Sequence, residues 1–268
     1  MNKEETLLQK RLIELSRTAY IRGIVTFSDF LNLNELNILH TTPKHQFQSQ
    51  YVTYGGYGLS ERQMVAFLPD ALYAFPDWDG FGGDSARQCK DALQYPIRIL
   101  RIGPQNQKFC EELTHRDYLG AVMNLGIERC KLGDIMVDGN HALLFVREEL
   151  ADYVREHLTR IRHTSVIVSV SQDLPDDYEP KYEEIKGTVA SIRLDTVLSL
   201  AFPLSRSKIT DYIEGGKVFV NGKLVTSNGY RLKEGDIISV RKMGRIVYDG
   251  IMKETKKGRY LTAVRKYI

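Results

Sequence analysis

Residues 205–225 read SRSKITDYIEGGKVFVNGKLV, and residues 232–242 read LKEGDIISVRK. These two stretches decide the fold of the C-terminal part. Ser205 is a suitable N-cap, its side-chain oxygen able to accept from a backbone N–H that the first helical turn leaves unbonded. The helix it starts runs to about Glu214, with Ile209, Tyr212 and Ile213 on its buried side and Gly215-Gly216 as the stop. At about 100° per residue, Arg206 and Lys208 flank that apolar stripe on opposite sides, so both can reach a ligand while the helix stays packed. Upstream, Leu194, Val197, Leu198 and Ala201 fall at i, i+3, i+4 and i+7, which predicts an earlier helix from Arg193 that Pro203 ends. Downstream, Val218 and Val220 share one strand face and Phe219 the other. Asn221-Gly222 then supplies a hairpin turn in which both residues must accept positive φ. A further strand, Asp236 to Arg241, follows the Gly235-Asp236 turn. The product is a helix pair on a small twisted sheet, with Lys217, Lys223, Arg231, Arg241, Lys242 and Arg245 at turns and strand ends. Long basic side chains at such positions can meet a phosphate backbone without disturbing the core.

Charge says the same. Residues 186–268 hold 17 Lys+Arg and 7 Asp+Glu, a net of +10, whereas residues 1–185 hold 20 and 27, a net of −7. The whole-chain net of +3 hides that split, and such asymmetry points to contact with a polyanion. A solvated basic face on an ordinary α+β domain is the bland alternative.

The order and spacing of Arg193-Leu194-Asp195, Ser205-Arg206-Ser207-Lys208 and Gly216-Lys217-Val218-Phe219-Val220-Asn221-Gly222 resemble the ribosomal-protein S4 RNA-binding domain (αL-type) over roughly residues 187–250. The resemblance implies RNA binding through the second helix and the hairpin edge. On it the expected RNA-binding residues are Arg193, Ser205, Arg206, Lys208, Lys217, Asn221, Lys223, Arg241, Lys242 and Arg245. Pseudouridine synthases carry such a module before a large catalytic domain, but only about 70 residues follow Arg193-Leu194-Asp195 here. Tyrosyl-tRNA synthetases carry it at the C-terminus, but their nucleotide motifs are absent upstream.

Between the two charge regimes, residues 171–187, SQDLPDDYEPKYEEIKG, combine six acids with two lysines and two prolines, which reads as an acidic linker. Before it, strands are expected at Tyr95–Ile102, Ile135–Val137, Ala142–Val146 and Thr164–Val170, and helices at His115–Leu125 and Glu148–Leu158. That β-α-β-β-α-β order is the split, ferredoxin-like arrangement also used by RNA-recognition domains. Phe145 is the one aromatic on PIRILRIG and HALLFVR, so a scaffold, or a surface that contacts RNA or protein without base stacking, is expected. In the first 75 residues, Leu7, Leu8, Leu12 and Leu15 support a helix, Phe27–Leu39 a second helical region and Met64–Leu68 a strand. In the loop TYGGYGLSER, Tyr54, Tyr57 and Arg62 either contact nucleic acid or close a turn, and closure is the better reading. The fold class is α+β in three parts: an N-terminal domain at 1–75, a ferredoxin-like (RRM-like) domain at 76–170, the linker at 171–187, and an S4-like domain with a C-terminal extension at 188–268.

No catalytic or metal site is signalled, and no cofactor is expected. Cys89, Cys110 and Cys130 form no C-x-x-C pair, and the six histidines never pair at i, i+4, so neither a disulfide framework nor a zinc site is indicated. His115-Arg116-Asp117 copies a kinase triplet without its companion motifs, and Ser205-x-x-Lys208 copies an acyl-enzyme spacing without its companions. Gly80-Phe81-Gly82-Gly83 sits among Asp77, Asp79 and Asp84, which repel phosphate. MNKEETLLQK has acids where a signal peptide needs a basic-then-apolar run, and no stretch approaches about 18 apolar residues, so a cytoplasmic protein without membrane contact is expected.

ELTHRDYLGAVMNLGIERCKLGDIMV, preceded by YGGYGLSERQMVAFLP, resembles the bacterial YlmH family, in the same three-part order over nearly the whole chain. Membership implies a non-catalytic RNA-binding protein of the large ribosomal subunit, with rRNA and tRNA as partners, that acts in ribosome-associated quality control of stalled nascent chains; a monomer without a small-molecule substrate is expected. In some lineages the family is linked to the cell-division gene cluster. The alternatives are a protein-interaction adaptor, linked to cell division or translation and localised by its basic module, and an RNA-modifying enzyme related to pseudouridine synthases.

Overall fold

Helix α1 (Lys3–Arg22) buries Leu12, Ser16 and Ala19, one stripe at i, i+4 and i+7, and carries Glu4 and Glu5 in its first turn and Arg22 in its last, as the helix dipole favours. It belongs to the first of two units in a computed structural model that describes residues 3–72, 93–107, 110–171, 182–255 and 258–267. The units are Met1–Glu35 with Thr42–Asp176, and Leu36–Thr41 with Asp177–Ile268. Residues on both sides of the expected 75/76 boundary fall in one unit; the boundary itself, Gly80–Gly83 and Cys89 lie outside the described residues.

In the first unit, β1 (Thr26–Phe27), β2 (Tyr51–Tyr54) and β3 (Met64–Phe67) form a sheet of order β1-β3-β2. All four residues of β3 are buried, the pattern of a strand covered on both faces. The helical reading of Phe27–Leu39 holds only for its second half, because α2 spans Leu33–Thr41, of which Leu36–Thr41 belongs to the second unit. Asn32 sets that start: its Oδ1 accepts from Asn34 N at 2.9 Å and Glu35 N at 3.2 Å, while Glu35 Oε2 accepts from Asn32 N at 2.7 Å. This reciprocal cap leaves Phe30 and Leu31 extended and buried.

The rest of the first unit is the split arrangement the sequence predicts. Strands β4 (Ile97–Pro104), β5 (Leu132–Asp138), β6 (His141–Arg147), β7 (Arg160–Ile161) and β8 (Thr164–Ser171) pair antiparallel in the order β5-β6-β4-β8-β7. Helices α3 (His115–Met123) and α4 (Ala151–His157) cover one face, where Leu100, Ile102, Tyr118, Val122, Leu144, Val146 and Val154 form the core. Helix α4 starts later than Glu148, since Glu148–Leu150 is a 3-10 turn. The opposite face is covered in part by N-terminal residues. A Cβ on Gly56 would lie 2.2 Å from Cδ1 of Phe145, so only glycine lets that backbone approach the ring. Tyr57 packs on Phe145 at 5.2 Å between centroids and donates to Asp134 Oδ2 at 2.7 Å.

Tyr54, Tyr57 and Arg62 serve closure. Tyr54 Oη donates to Gly56 O at 2.6 Å, and the buried Arg62 guanidinium donates to the carbonyls of Leu132 (2.8 Å), Phe30 (3.1 Å) and Arg129 (3.2 Å). Burial and the neighbouring Arg62 push the Arg129 guanidinium down to about 10.

The second unit is a six-stranded antiparallel sheet of order β11-β10-β12-β13-β14-β9. Its strands are β9 (Tyr182–Val189), β10 (Val218–Val220), β11 (Lys223–Leu224), β12 (Ile237–Val240), β13 (Gly244–Glu254) and β14 (Tyr260–Tyr267). Helices α5 (Leu194–Ala201) and α6 (Arg206–Glu214) pack Leu194, Val197, Leu198, Ile209 and Ile213 against Val218, Val220, Ile238 and Val264. Strand β9 begins inside the segment read as a linker, whose residues 172–181 lie outside the described residues. Tyr182–Val189 pairs with β14 over eight residues. Its exposed Glu183, Glu184 and Lys186 gave the stretch a linker's composition. Gly187 is where Leu200 of α5 crosses it: a Cβ there would lie 2.3 Å from Leu200 Cδ1.

Candidate nucleic-acid interface

Helix α6 begins at Ser205, whose backbone is extended (φ −64°, ψ 152°) and whose Oγ accepts from Lys208 N at 3.4 Å. The first turn holds no acid. Its Arg206 and Lys208 are exposed while Ile209 and Ile213 are fully buried, so two cations stand at the positive end of the helix dipole, a setting that favours anions.

The helix ends at Gly215-Gly216, with Gly216 at φ +68°, and feeds Lys217 into the start of β10. Lys217 O accepts from Arg241 N at 2.9 Å, which places these two cations side by side at the ends of neighbouring strands. Each lies over a ring: Lys217 Nζ is 4.8 Å from the Tyr212 centroid and Arg241 Cζ 5.6 Å from that of Phe219. Such contacts hold a flexible basic side chain near one orientation without neutralising it.

Asn221 (φ +49°) and Gly222 (φ +77°) form the hairpin turn between β10 and β11, as the Asn-Gly signal predicts. The Asn221 side chain is taken up internally: Nδ2 donates to Asp236 Oδ1 at 2.8 Å, and Oδ1 accepts from Ile237 N at 2.9 Å. Its work is to shape the turn that carries the exposed Lys223. Lys242, at φ +65°, and Gly244, at φ +107°, make the turn between β12 and β13. Arg245 lies one residue further on, its Cζ 5.9 Å from the Tyr267 ring centroid.

Arg193 is the N-cap of α5 and is engaged with Asp195, Nε to Oδ1 at 3.1 Å and Nη2 to Oδ2 at 2.9 Å. Asp195 therefore competes with any phosphate for this guanidinium. Arg231, one of the cations that the sequence places at turns and strand ends suited to phosphate, is exposed. The structure bridges its backbone to that of Arg193, so two exposed arginines meet. The 37 residues between them leave no local pattern from which to foresee this.

The catalytic look-alikes have structural roles. Asp117 of His115-Arg116-Asp117 caps α3, accepting from Thr114 N at 2.8 Å and Thr114 Oγ1 at 2.6 Å. Ser205 and Lys208 meet through the backbone N–H of the lysine. Among the described residues, no group of three His, Cys, Asp or Glu is placed to hold a metal, and no helix is long and apolar enough to cross a membrane.

Two family models match the chain. Residues 91–173 match a family model described as "Putative RNA-binding domain in YlmH", and residues 192–238 match the S4 domain. Ribosome-associated protein quality control protein P2 of Bacillus subtilis (strain 168) is 30% identical over 260 residues, covering 96% of this chain and 93% of that protein. The chain belongs to the YlmH family. A solved structure titled cell division protein ylmH from Streptococcus pneumoniae is 23% identical, covers 64% of this chain and 93% of its own, and superposes with a TM-score of 0.45. Within the YlmH frame, the S4 match ends at Ile238, and β13 and β14 extend its sheet beyond that point to β9.

Proposed function

We propose that the chain is a cytoplasmic, non-catalytic and monomeric RNA-binding protein that contacts ribosomal RNA or tRNA on the large ribosomal subunit, in the rescue of stalled nascent chains. The observation that carries this reading is the exposed basic set on α6 and the hairpin: Arg206 and Lys208 on the acid-free first turn, Lys217 and Arg241 at adjoining strand ends, and Lys223 beside the Asn221-Gly222 turn. Arg193, Lys242 and Arg245 extend the face, while Ser205 and Asn221 position it. The quality-control role rests on the printed name of the Bacillus subtilis relative.

Phosphate contacts of this kind give affinity and register, and sequence preference must come from elsewhere. Co-sedimentation with isolated ribosomal subunits tests the proposal. The wild-type chain is expected to pellet with large subunits, and an Arg206→Ala, Lys208→Ala variant to need on the order of tenfold more subunit for equal pelleting. Equal pelleting of the two proteins, or a preference for small subunits, overturns it.

A further inference from the structure

We propose that a cleft between α3 and the α4–β7 turn of the first unit is a second RNA contact, which takes one unstacked ribonucleotide of a bulge or loop. The proposal rests on the RNA-binding reading above and adds a site remote in sequence from the S4 face.

A split β-α-β-β-α-β domain that reads single-stranded RNA normally stacks bases on aromatic side chains of its central strands. Here that route is closed. Phe145 on β6 and Ile99 on β4 are 0% and 3% exposed, with Gly56 and Tyr57 lying over Phe145 and Tyr57 anchored to Asp134. If this domain contacts bases, it does so from another surface.

On the helical side, an open cleft of about 470 Å³ is lined by the apolar Ala121, Leu125 and Leu158 together with Arg116, Arg160 and Arg162. That volume lies within the range of small-ligand pockets. A nucleotide needs the same division: an apolar or planar surface for the base, and cations for the phosphates on either side of it. Asn124 also lines the cleft, and its amide offers a donor and an acceptor to a base edge.

The charge balance favours an anion, although the unit as a whole is acidic. Asp117 is the one acid in the lining, and its carboxylate already accepts two hydrogen bonds from Thr114. Arg162 lies 3.6 Å from Asp117 and 3.8 Å from Glu111, with its side chain 55% exposed; exposed pairs of that length bind little and yield readily to a phosphate. Arg116 and Arg160 are exposed. Arg162 is also held at φ +52°, the left-handed region that a β-hairpin turn normally gives to Gly or Asn. An arginine kept there despite its conformational cost fits a side chain with a task.

The test uses the full chain and two fluorescein-labelled RNA hairpins, one fully paired and one with a single bulged adenosine, in fluorescence anisotropy titrations. The wild type is expected to prefer the bulged hairpin about fivefold or more, the lower end of one base-stacking contact. An Arg116→Ala, Arg160→Ala, Arg162→Ala variant is expected to lose the preference. Leu125→Trp, which adds bulk to the apolar lining and leaves every charge in place, is expected to lose it while binding the paired hairpin as the wild type does. Arg206→Ala, Lys208→Ala is expected to weaken both hairpins by the same factor and keep the preference. Preference retained in both cleft variants, or absent from the wild type, overturns the cleft and leaves the S4 face standing. A wild type that binds neither hairpin overturns both readings.

Discussion

Among the residues of the proposed binding face, Asn221 and Lys242 separate shape from charge. Asn221 holds two side-chain hydrogen bonds and a left-handed backbone. Asn221→Ala removes both bonds, each worth about 1 kcal/mol, and puts alanine in a conformation that costs it about 1 kcal/mol, so a loss of about 2–3 kcal/mol in urea unfolding is expected. The salt dependence of RNA binding by the folded variant should not change, because no charge is removed. Lys242 is the converse case. At φ +65° it bears the left-handed strain, so Lys242→Gly should stabilise the fold by up to about 1 kcal/mol while lowering the salt slope of RNA binding by about one. A variant that is more stable and binds RNA less steeply separates the two roles; one whose slope is unchanged removes Lys242 from the face.

Elements were legible where local chemistry marks their ends. Ser205, Gly215-Gly216 and Asn221-Gly222 bound α6, β10 and β11 in the sequence as they do in the structure. Asn32 carried an equally local signal for the start of α2, but the apolar residues Phe27, Phe30 and Leu31 before it drew the helix too far upstream. Strand β9 was missed because it is an edge strand whose exposed positions carry acids, and its pairing partner β14 lies far along the chain. The cap of α3 yields a pH prediction. Hydrogen bonds from the Thr114 hydroxyl and backbone N–H hold the Asp117 carboxyl below its ordinary 3.8. A lowered carboxyl stabilises the fold at every pH above 3.8, and that contribution is lost as pH falls through the lower, folded value. Thermal unfolding followed from about pH 5 downward should therefore show a smaller acid-side drop for Asp117→Asn than for the wild type, and equal drops would mean that the cap does not couple to folding.

At the scale of the whole molecule, the split between a net of −7 over residues 1–185 and +10 over residues 186–268 is what the sequence shows most plainly. In the structure α6 carries Arg206 and Lys208 in its first turn, neighbouring strand ends carry Lys217 and Arg241, and the Arg193–Arg231 bridge joins segments that no local pattern connects. The acidic part was less legible. Phe145 on its sheet face is covered by Gly56 and Tyr57, a packing between segments about 90 residues apart, and its cationic cleft gathers Arg116, Arg160 and Arg162 from two separate stretches of an acidic sequence. The central claim is that the α6–hairpin face binds RNA through its phosphates. The most direct measurement is RNA affinity against salt concentration for the wild type and for Arg206→Ala, Lys208→Ala. Each phosphate contact removed lowers the slope of log K against log salt by about one, so the variant is predicted to show a slope about two units shallower. Superimposable slopes would contradict the account.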